Sequence, residues 1–275
     1  MLSRRMLLAG LAGAAIADTL EASEPLSKGV GDAELFLFLG QSNMSGVGTL
    51  DSSTLPEHLI ASDRNIYIWN DGTLKFQVLV NGTNNNLFNK QWGPEAEFSY
   101  QWRLANPSKT FFMYKLGYDG PFLLQGESPA DWNPASKGKI FDTVTGKISA
   151  LKSGISTIGH AISHIHVLWM QGESDATDTK AASAYAANLA TFFAQARIRW
   201  GDERTKIIVG RIRTTAGPFA STVRAAQQST VSDDSNSALV DTDSYPLARD
   251  RLHYTPAGIV RLGGDMYSTY LALQR

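Results

Sequence analysis

The chain has 275 residues, 43% of them hydrophobic and 19% charged, which is enough apolar material for one large core and too much for a disordered polymer. Lys and Arg number 25 against 26 Asp and Glu, and a formal charge of −1 offers no electrostatic footprint for nucleic acid. With no cysteine, thiol nucleophiles, Cys-ligated metals and disulfides are excluded, leaving carboxylate, imidazole, amine and hydroxyl chemistry.

Residues 1–17 read as an export signal: Arg4 and Arg5, an apolar run over 6–16, then the small-x-small triplet Ala15-Ile16-Ala17 that a signal peptidase accepts. The run is about half the ~20 residues a membrane span needs, so no permanent membrane anchor is expected. The pair Arg4-Arg5 before Met6-Leu7-Leu8 also resembles the twin-arginine signal, which exports folded proteins. The expected mature protein is one domain over 18–275, placed in the periplasm or outside the cell.

Beyond residue 32, short apolar runs alternate with longer amphipathic stretches, the pattern of strand–crossover–strand units. Strands are expected at 35–39, 66–69, 110–116, 165–170 and 207–212, mostly apolar throughout, as strands covered on both faces must be. Helices are expected at 94–105, within 140–162, and at 180–200, 219–231 and 256–273. The fold class is therefore α/β, a three-layer α/β/α sandwich around a five-stranded parallel sheet. The Asn-rich segment 81–91 and the Pro- and Gly-containing segment 125–139 read as surface loops.

Ligands of an open parallel sheet bind outside the carboxyl ends of its strands. The first strand runs into Gly40-Gln41-Ser42-Asn43-Met44, a serine just past a glycine, where a hydroxyl can be exposed beside the N–H groups of a starting helix. Ser42 or Asn43 as a simple helix cap is the competing reading. The fourth strand ends in Trp169-Met170-Gln171-Gly172-Glu173-Ser174-Asp175-Ala176, in which Gly172-x-Ser174-x-Ala176 is close to a nucleophile elbow, so Ser174 is a rival nucleophile. The Gln171 amide, at the strand end, is a candidate oxyanion donor.

Either serine needs a base. Of five histidines, His253 alone sits on a loop before a capped helix, with Thr255 as cap and Pro256 as first residue. Asp250, three residues earlier, can reach its Nδ1 through a turn, and Asp241 and Asp243 are competing carboxylates. His160, His164 and His166 form a weak metal candidate without an acidic third ligand at matching spacing. Gly46-Val47-Gly48 lacks the residues of a phosphate cradle, so neither a metal nor any other cofactor is expected.

Four blocks together resemble the SGNH hydrolases, and within them the branch of sialate O-acetylesterases and acetylxylan esterases of carbohydrate esterase family 6. They are Gly40-Gln41-Ser42-Asn43-Met44, Gly93-Pro94-Glu95, Trp169-x-Gln171-Gly172-Glu173-Ser174-Asp175-Ala176 and Asp250-x-x-His253-Tyr254, in the family's order. The resemblance implies Ser42 as nucleophile, His253 as base and Asp250 as acid. It also implies an oxyanion hole formed by the N–H groups of Ser42 and Gly93 and the Gln171 side chain. The expected substrate is an acetylated carbohydrate. Glu173 is a candidate for orienting Gln171 or binding a sugar hydroxyl, beside the plainer reading of a carboxylate at a helix start. Trp92 and Trp132 are candidate sugar platforms, and Arg249 and Arg251 candidate partners for a sialate carboxylate. The competing readings are a lipase-like or aryl esterase with the same triad, and a sugar-binding protein without turnover.

Overall fold

The computed structural model describes residues 31–49, 54–85, 91–126 and 129–275. The export signal at 1–17 lies outside these residues, as do parts of the segments 81–91 and 125–139. Seven strands form one sheet: β1 (Gly31–Gly40), β2 (Ile66–Asn70), β3 (Lys75–Val78), β4 (Phe111–Gly117), β5 (His160–Met170), β6 (Ile207–Gly210) and β7 (Ser237–Val240). Their order is β3-β2-β4-β1-β5-β6-β7, and all pairs are parallel except the β2–β3 hairpin at one edge. The α/β sandwich stands, but the sheet has seven strands rather than five and is not wholly parallel. Short, partly polar β3 and β7 lie at the two edges, where no continuous apolar run is needed.

The helices are α1 (Ser42–Ser45), α2 (Glu95–Ala105), α3 (Ile140–Thr157), α4 (Thr179–Arg199), α5 (Ala220–Ser232) and α6 (Pro256–Ala272). Central strand β1 is buried almost throughout because it pairs with β4 on one side and β5 on the other. On one sheet face Phe36 packs against Phe98 and Trp102 of α2 and Tyr270 of α6, at ring separations of 5.2, 6.2 and 5.3 Å. On the other face Trp169 of β5 meets Phe192 of α4 at 4.2 Å, and Phe141 of α3 stacks on Trp200 at 4.4 Å. No helix of the described residues is long and apolar enough to cross a membrane.

The expected loop at 125–139 is a surface feature only in part: Gln125, Gly126, Pro129, Ala135, Lys137 and Gly138 are exposed, but Asp131, Trp132, Asn133 and Ser136 are buried, and Trp132 Nε1 donates to the Gly40 carbonyl at 3.2 Å. In the 81–91 segment, Asn85 is likewise buried and donates from Nδ2 to Glu95 Oε1 at 2.7 Å. Polar composition was misleading in both places, because these side chains satisfy one another and nearby backbone instead of facing water.

Candidate active site

The first turn after β1 is a one-turn helix. Gly46 closes α1 in the left-handed region (φ 91°), donating its N–H to the Ser42 carbonyl at 2.9 Å. Gln41 does not cap the helix with its side chain; its Oε1 accepts the Gly172 N–H at 3.2 Å and so ties the β1 and β5 turns together. Ser42 opens α1 at the carboxyl edge of the sheet, where the first N–H groups of a helix have no intrahelical acceptor.

The segment before α6 folds back onto this turn. Ala248 N–H donates to the His253 carbonyl at 2.8 Å, and Thr255 caps α6 by accepting the Gly258 N–H, with Pro256 as the first helical residue. Arg251 takes φ 59°, a conformation that costs a non-glycine residue about 1 kcal/mol or more and is retained where a turn demands it. In that turn Asp250 Oδ1 accepts the N–H groups of Leu252 at 2.9 Å and His253 at 3.0 Å, and its Oδ2 lies 2.6 Å from His253 Nδ1. His253 Nε2 then lies 2.9 Å from Ser42 Oγ. With Nδ1–H donating to Asp250, Nε2 is the acceptor for the serine hydroxyl.

Burial works to raise the Asp250 carboxyl, but the Leu252 and His253 N–H groups and the His253 imidazole outweigh it and hold it down to about 2. The carboxylate is therefore ionised at neutral pH. Ser42, His253, Glu173, Ser174, Phe122 and Leu252 are among the residues around a pocket of about 400 Å³. A larger cavity of about 630 Å³ between residues 58–66 and α2 shares no residue with it.

Asn43 is the residue that sequence reasoning underrated. It caps nothing: Nδ2 donates to Glu173 Oε1 at 2.8 Å and to the Leu252 carbonyl at 3.3 Å, while Oδ1 accepts the Tyr254 N–H at 3.0 Å. One amide thus clasps the serine turn, the β5 turn and the histidine loop. Glu173 is 3% exposed, its Oε2 has no hydrogen-bond partner among the described residues, and burial raises its pKa against the opposing pull of Asn43.

Other expectations are corrected by the geometry. Both donors of the Gln171 amide are engaged away from Ser42, at Asp175 Oδ2 (2.6 Å) and the Pro121 carbonyl (3.0 Å), while Tyr185 OH lies 2.9 Å from the Gln171 carbonyl and 3.1 Å from its Oε1. The Gly93 N–H donates to Glu95 Oε1 at 2.9 Å, so it too is committed within its own turn. Trp92 and Trp132 are wholly buried and present no ring face to a sugar. Arg249 is exposed and is not part of the pocket wall; nor is Arg251. Ser174 shares the pocket but begins a 3-10 turn, with its carbonyl accepting the Thr177 N–H, and the histidine pairs with Ser42 instead. Asp241 and Asp243 are engaged by Arg211, and Asp243 also by Arg224. His160, His164 and His166 all lie within β5, and burial pushes His166 down to about 3.

A serine, a histidine and an aspartate hydrogen-bonded in series at the carboxyl edge of a parallel sheet is a geometry of ester and peptide hydrolases. The chain belongs to the carbohydrate esterase, sialic acid-specific acetylesterase family, whose profile matches residues 32–272. It is a carboxylic ester hydrolase of the class that removes O-acetyl groups from carbohydrates. Among solved structures, a protein of Arabidopsis thaliana is 24% identical with a TM-score of 0.72, over 87% of this chain and 98% of its own. NanS is 11% identical with a TM-score of 0.61, over 90% of this chain and 99% of its own. XAC1771, described as a carbohydrate acetylesterase of Xanthomonas citri, is 18% identical with a TM-score of 0.56, over 88% of this chain and 57% of its own. At these identities the likeness is one of fold. No curated protein matches the sequence significantly.

Proposed function

We propose that the protein is an exported serine esterase that removes acetyl groups from carbohydrates, with Ser42 as nucleophile, His253 as general base and Asp250 as the carboxylate that orients it. The observation that carries this reading is the unbroken hydrogen-bond series from Ser42 Oγ through His253 to Asp250, opening on a pocket. As Ser42 Oγ attacks the acetyl carbonyl, its proton passes to His253 Nε2, and the imidazolium is stabilised by the ionised Asp250. The proton then goes to the departing sugar oxygen, leaving an acetyl-serine. Water, deprotonated by the same histidine, attacks this ester and releases acetate. The Ser42 N–H, at the uncapped start of α1, is the donor that faces the oxyanion. Glu173 Oε2, buried at the pocket wall and unpartnered among the described residues, receives a hydroxyl of the sugar ring. Residues 1–17 are the export signal and 18–275 the single mature domain, supported by Arg4, Arg5 and the apolar run that follows them.

A second reading, an esterase for longer acyl chains, is favoured by the apolar part of the pocket wall, Val47, Phe122, Ala216 and Leu252. Acetate release from p-nitrophenyl acetate, acetylated xylan and O-acetylated sialate by the mature protein, beside Ser42→Ala and Ser174→Ala, tests the proposal. Ser42→Ala is expected to lose several orders of magnitude in kcat while Ser174→Ala retains turnover. A dead Ser174→Ala with an active Ser42→Ala would reverse the assignment. Rates that rise from acetate to butyrate or octanoate esters would favour the second reading, and a folded wild-type protein without turnover would favour a sugar-binding role.

A further inference from the structure

An ion pair lies buried beside the helix that carries the nucleophile. Lys115, on β4, and Glu95, the first residue of α2, have side chains 3% and 0% exposed, and Nζ lies 2.8 Å from Oε1. Lys115 Nζ also donates to the carbonyl of Ser45, the last residue of α1, at 3.0 Å. The same Glu95 oxygen accepts the Gly93 N–H at 2.9 Å and the Asn85 amide at 2.7 Å. The C-terminal end of α1 therefore rests on an ammonium whose counter-ion is anchored in the 93–95 turn. A second link runs alongside, from Ser45 Oγ to Gln91 Oε1 at 3.0 Å.

A single helical turn has no stability of its own, so the place of α1 is set by whatever holds its ends. Its first residue is joined to His253; its last is joined to Lys115. Burying two opposite charges is commonly no better for stability than a well-packed apolar pair. Fold stability alone is therefore a poor account of this one. We propose that Lys115 and Glu95 are a positioning pair for the reaction at Ser42. They touch neither substrate nor reacting atoms, and they fix α1 so that Ser42 Oγ stays in line with His253 Nε2. This inference rests on the reading of Ser42 as nucleophile.

The test compares wild type, Lys115→Met, Glu95→Gln and the double variant by thermal melting and by kcat and KM on p-nitrophenyl acetate. It adds the rate at which a small phosphonate ester modifies Ser42. Each single change leaves one buried charge unpaired and lowers Tm; the double change removes both charges and recovers much of that loss. Its kcat is expected to stay ~10- to 100-fold down, as for a displacement of up to about 1 Å, with KM within about twofold of wild type. Phosphonylation should slow by the same factor as kcat. A double variant with wild-type kcat, or kcat that simply follows Tm through the series, overturns the inference. If the double variant does not fold, Glu95→Gln decides at low temperature: about a tenfold loss in kcat at constant KM supports the pair, and unchanged kcat overturns it. Wild-type protein that neither turns over the ester nor reacts with the phosphonate would overturn the esterase reading and this inference with it, whereas active variants beside an active wild type overturn this inference alone.

Discussion

Replacing Asn43 by alanine removes three hydrogen bonds from one buried amide, and the loss can be sized. The bond to Glu173 Oε1 has a carboxyl partner, worth ~1.5–3 kcal/mol if ionised, and the Tyr254 N–H is left buried without an acceptor, at ~1–3 kcal/mol. Glu173 limits the damage, because burial already raises its pKa and it can take up a proton when Asn43 is gone. A net loss of about 3 kcal/mol follows, or roughly 6–12 °C in Tm for a chain of this size. The histidine loop is freed from the serine turn at the same time, so kcat falls as well. Asn43→Asp keeps an acceptor for Tyr254 but sets a second carboxylate against Glu173, and one of the two must hold a proton. Paired acids with raised pKa values are stable in the fold below the unfolded value near 4 and lose that stability as pH rises. Asn43→Asp should therefore melt close to wild type at pH 4 and progressively below it toward pH 8, and the Asn43→Ala deficit, in which only Glu173 is raised, should grow with pH less steeply. Calorimetric melts over that range, with kcat at each pH, check both outcomes. A wild-type Tm and kcat in Asn43→Ala would refute the clasp, as would an Asn43→Asp deficit that ignores pH.

Two further outcomes follow from buried partners in the β5 turn. Gln171→Ala should lower Tm, since Asp175 and the Pro121 carbonyl each lose a partner while Tyr185 OH keeps the main-chain carbonyl of residue 171, yet reduce kcat/KM by less than the ~10²–10³-fold typical of a lost oxyanion donor. A full loss at an unchanged Tm would return Gln171 to the oxyanion hole. Asp175 is pushed up to about 6 by burial, against the N–H groups of Leu123 and Leu124 and the Gln171 amide. Between about pH 4 and 6 the unfolded chain has released this proton and the folded one has not, so stability falls as pH rises through that window, by up to about 3 kcal/mol, and then levels. Melting curves of wild type and Asp175→Ala between pH 4 and 7 measure this; equal slopes in the two proteins would sink it.

The sequence was legible where periodicity and chain order carry the information. The five apolar runs all became strands, and Ser42, Asp250 and His253, more than 200 residues apart at the extremes, meet through two short turns. The first half of β5 was missed because His160, Ser163 and His164 interrupt its apolar run, and β3 because Lys75 and Gln77 belong to an edge hairpin. Gln171 illustrates a different limit. Its position at a strand end was read correctly, but an amide in that place chooses among acceptors, and Asp175, four residues on, lies within reach through the turn. Trp92 and Trp132 show the corresponding limit for aromatics, since the area gained by burying an indole outweighs its use as a surface platform unless a ligand completes the site.

What pattern reading could not reach is how the turn carrying Ser42 is held. Asn43 binds it to the β5 turn and the histidine loop from one side, and Lys115 binds its far end to the turn before α2 from the other. Neither residue belongs to an apolar period or to the reacting series, so hydrophobic spacing is blind to both. Each carries a polar group into a region where an apolar side chain would cost less desolvation. On the proposed reading of Ser42 as nucleophile, a one-turn helix bearing it gains little from extra global stability, but it gains directly from being fixed relative to His253, because a displacement of about 1 Å there can cost ~10²-fold in rate. On that reading the buried polar groups around α1 serve the precision of the Ser42–His253 contact, and removing them should separate rate from stability in a way that removing Phe36 or Trp169 from the core would not.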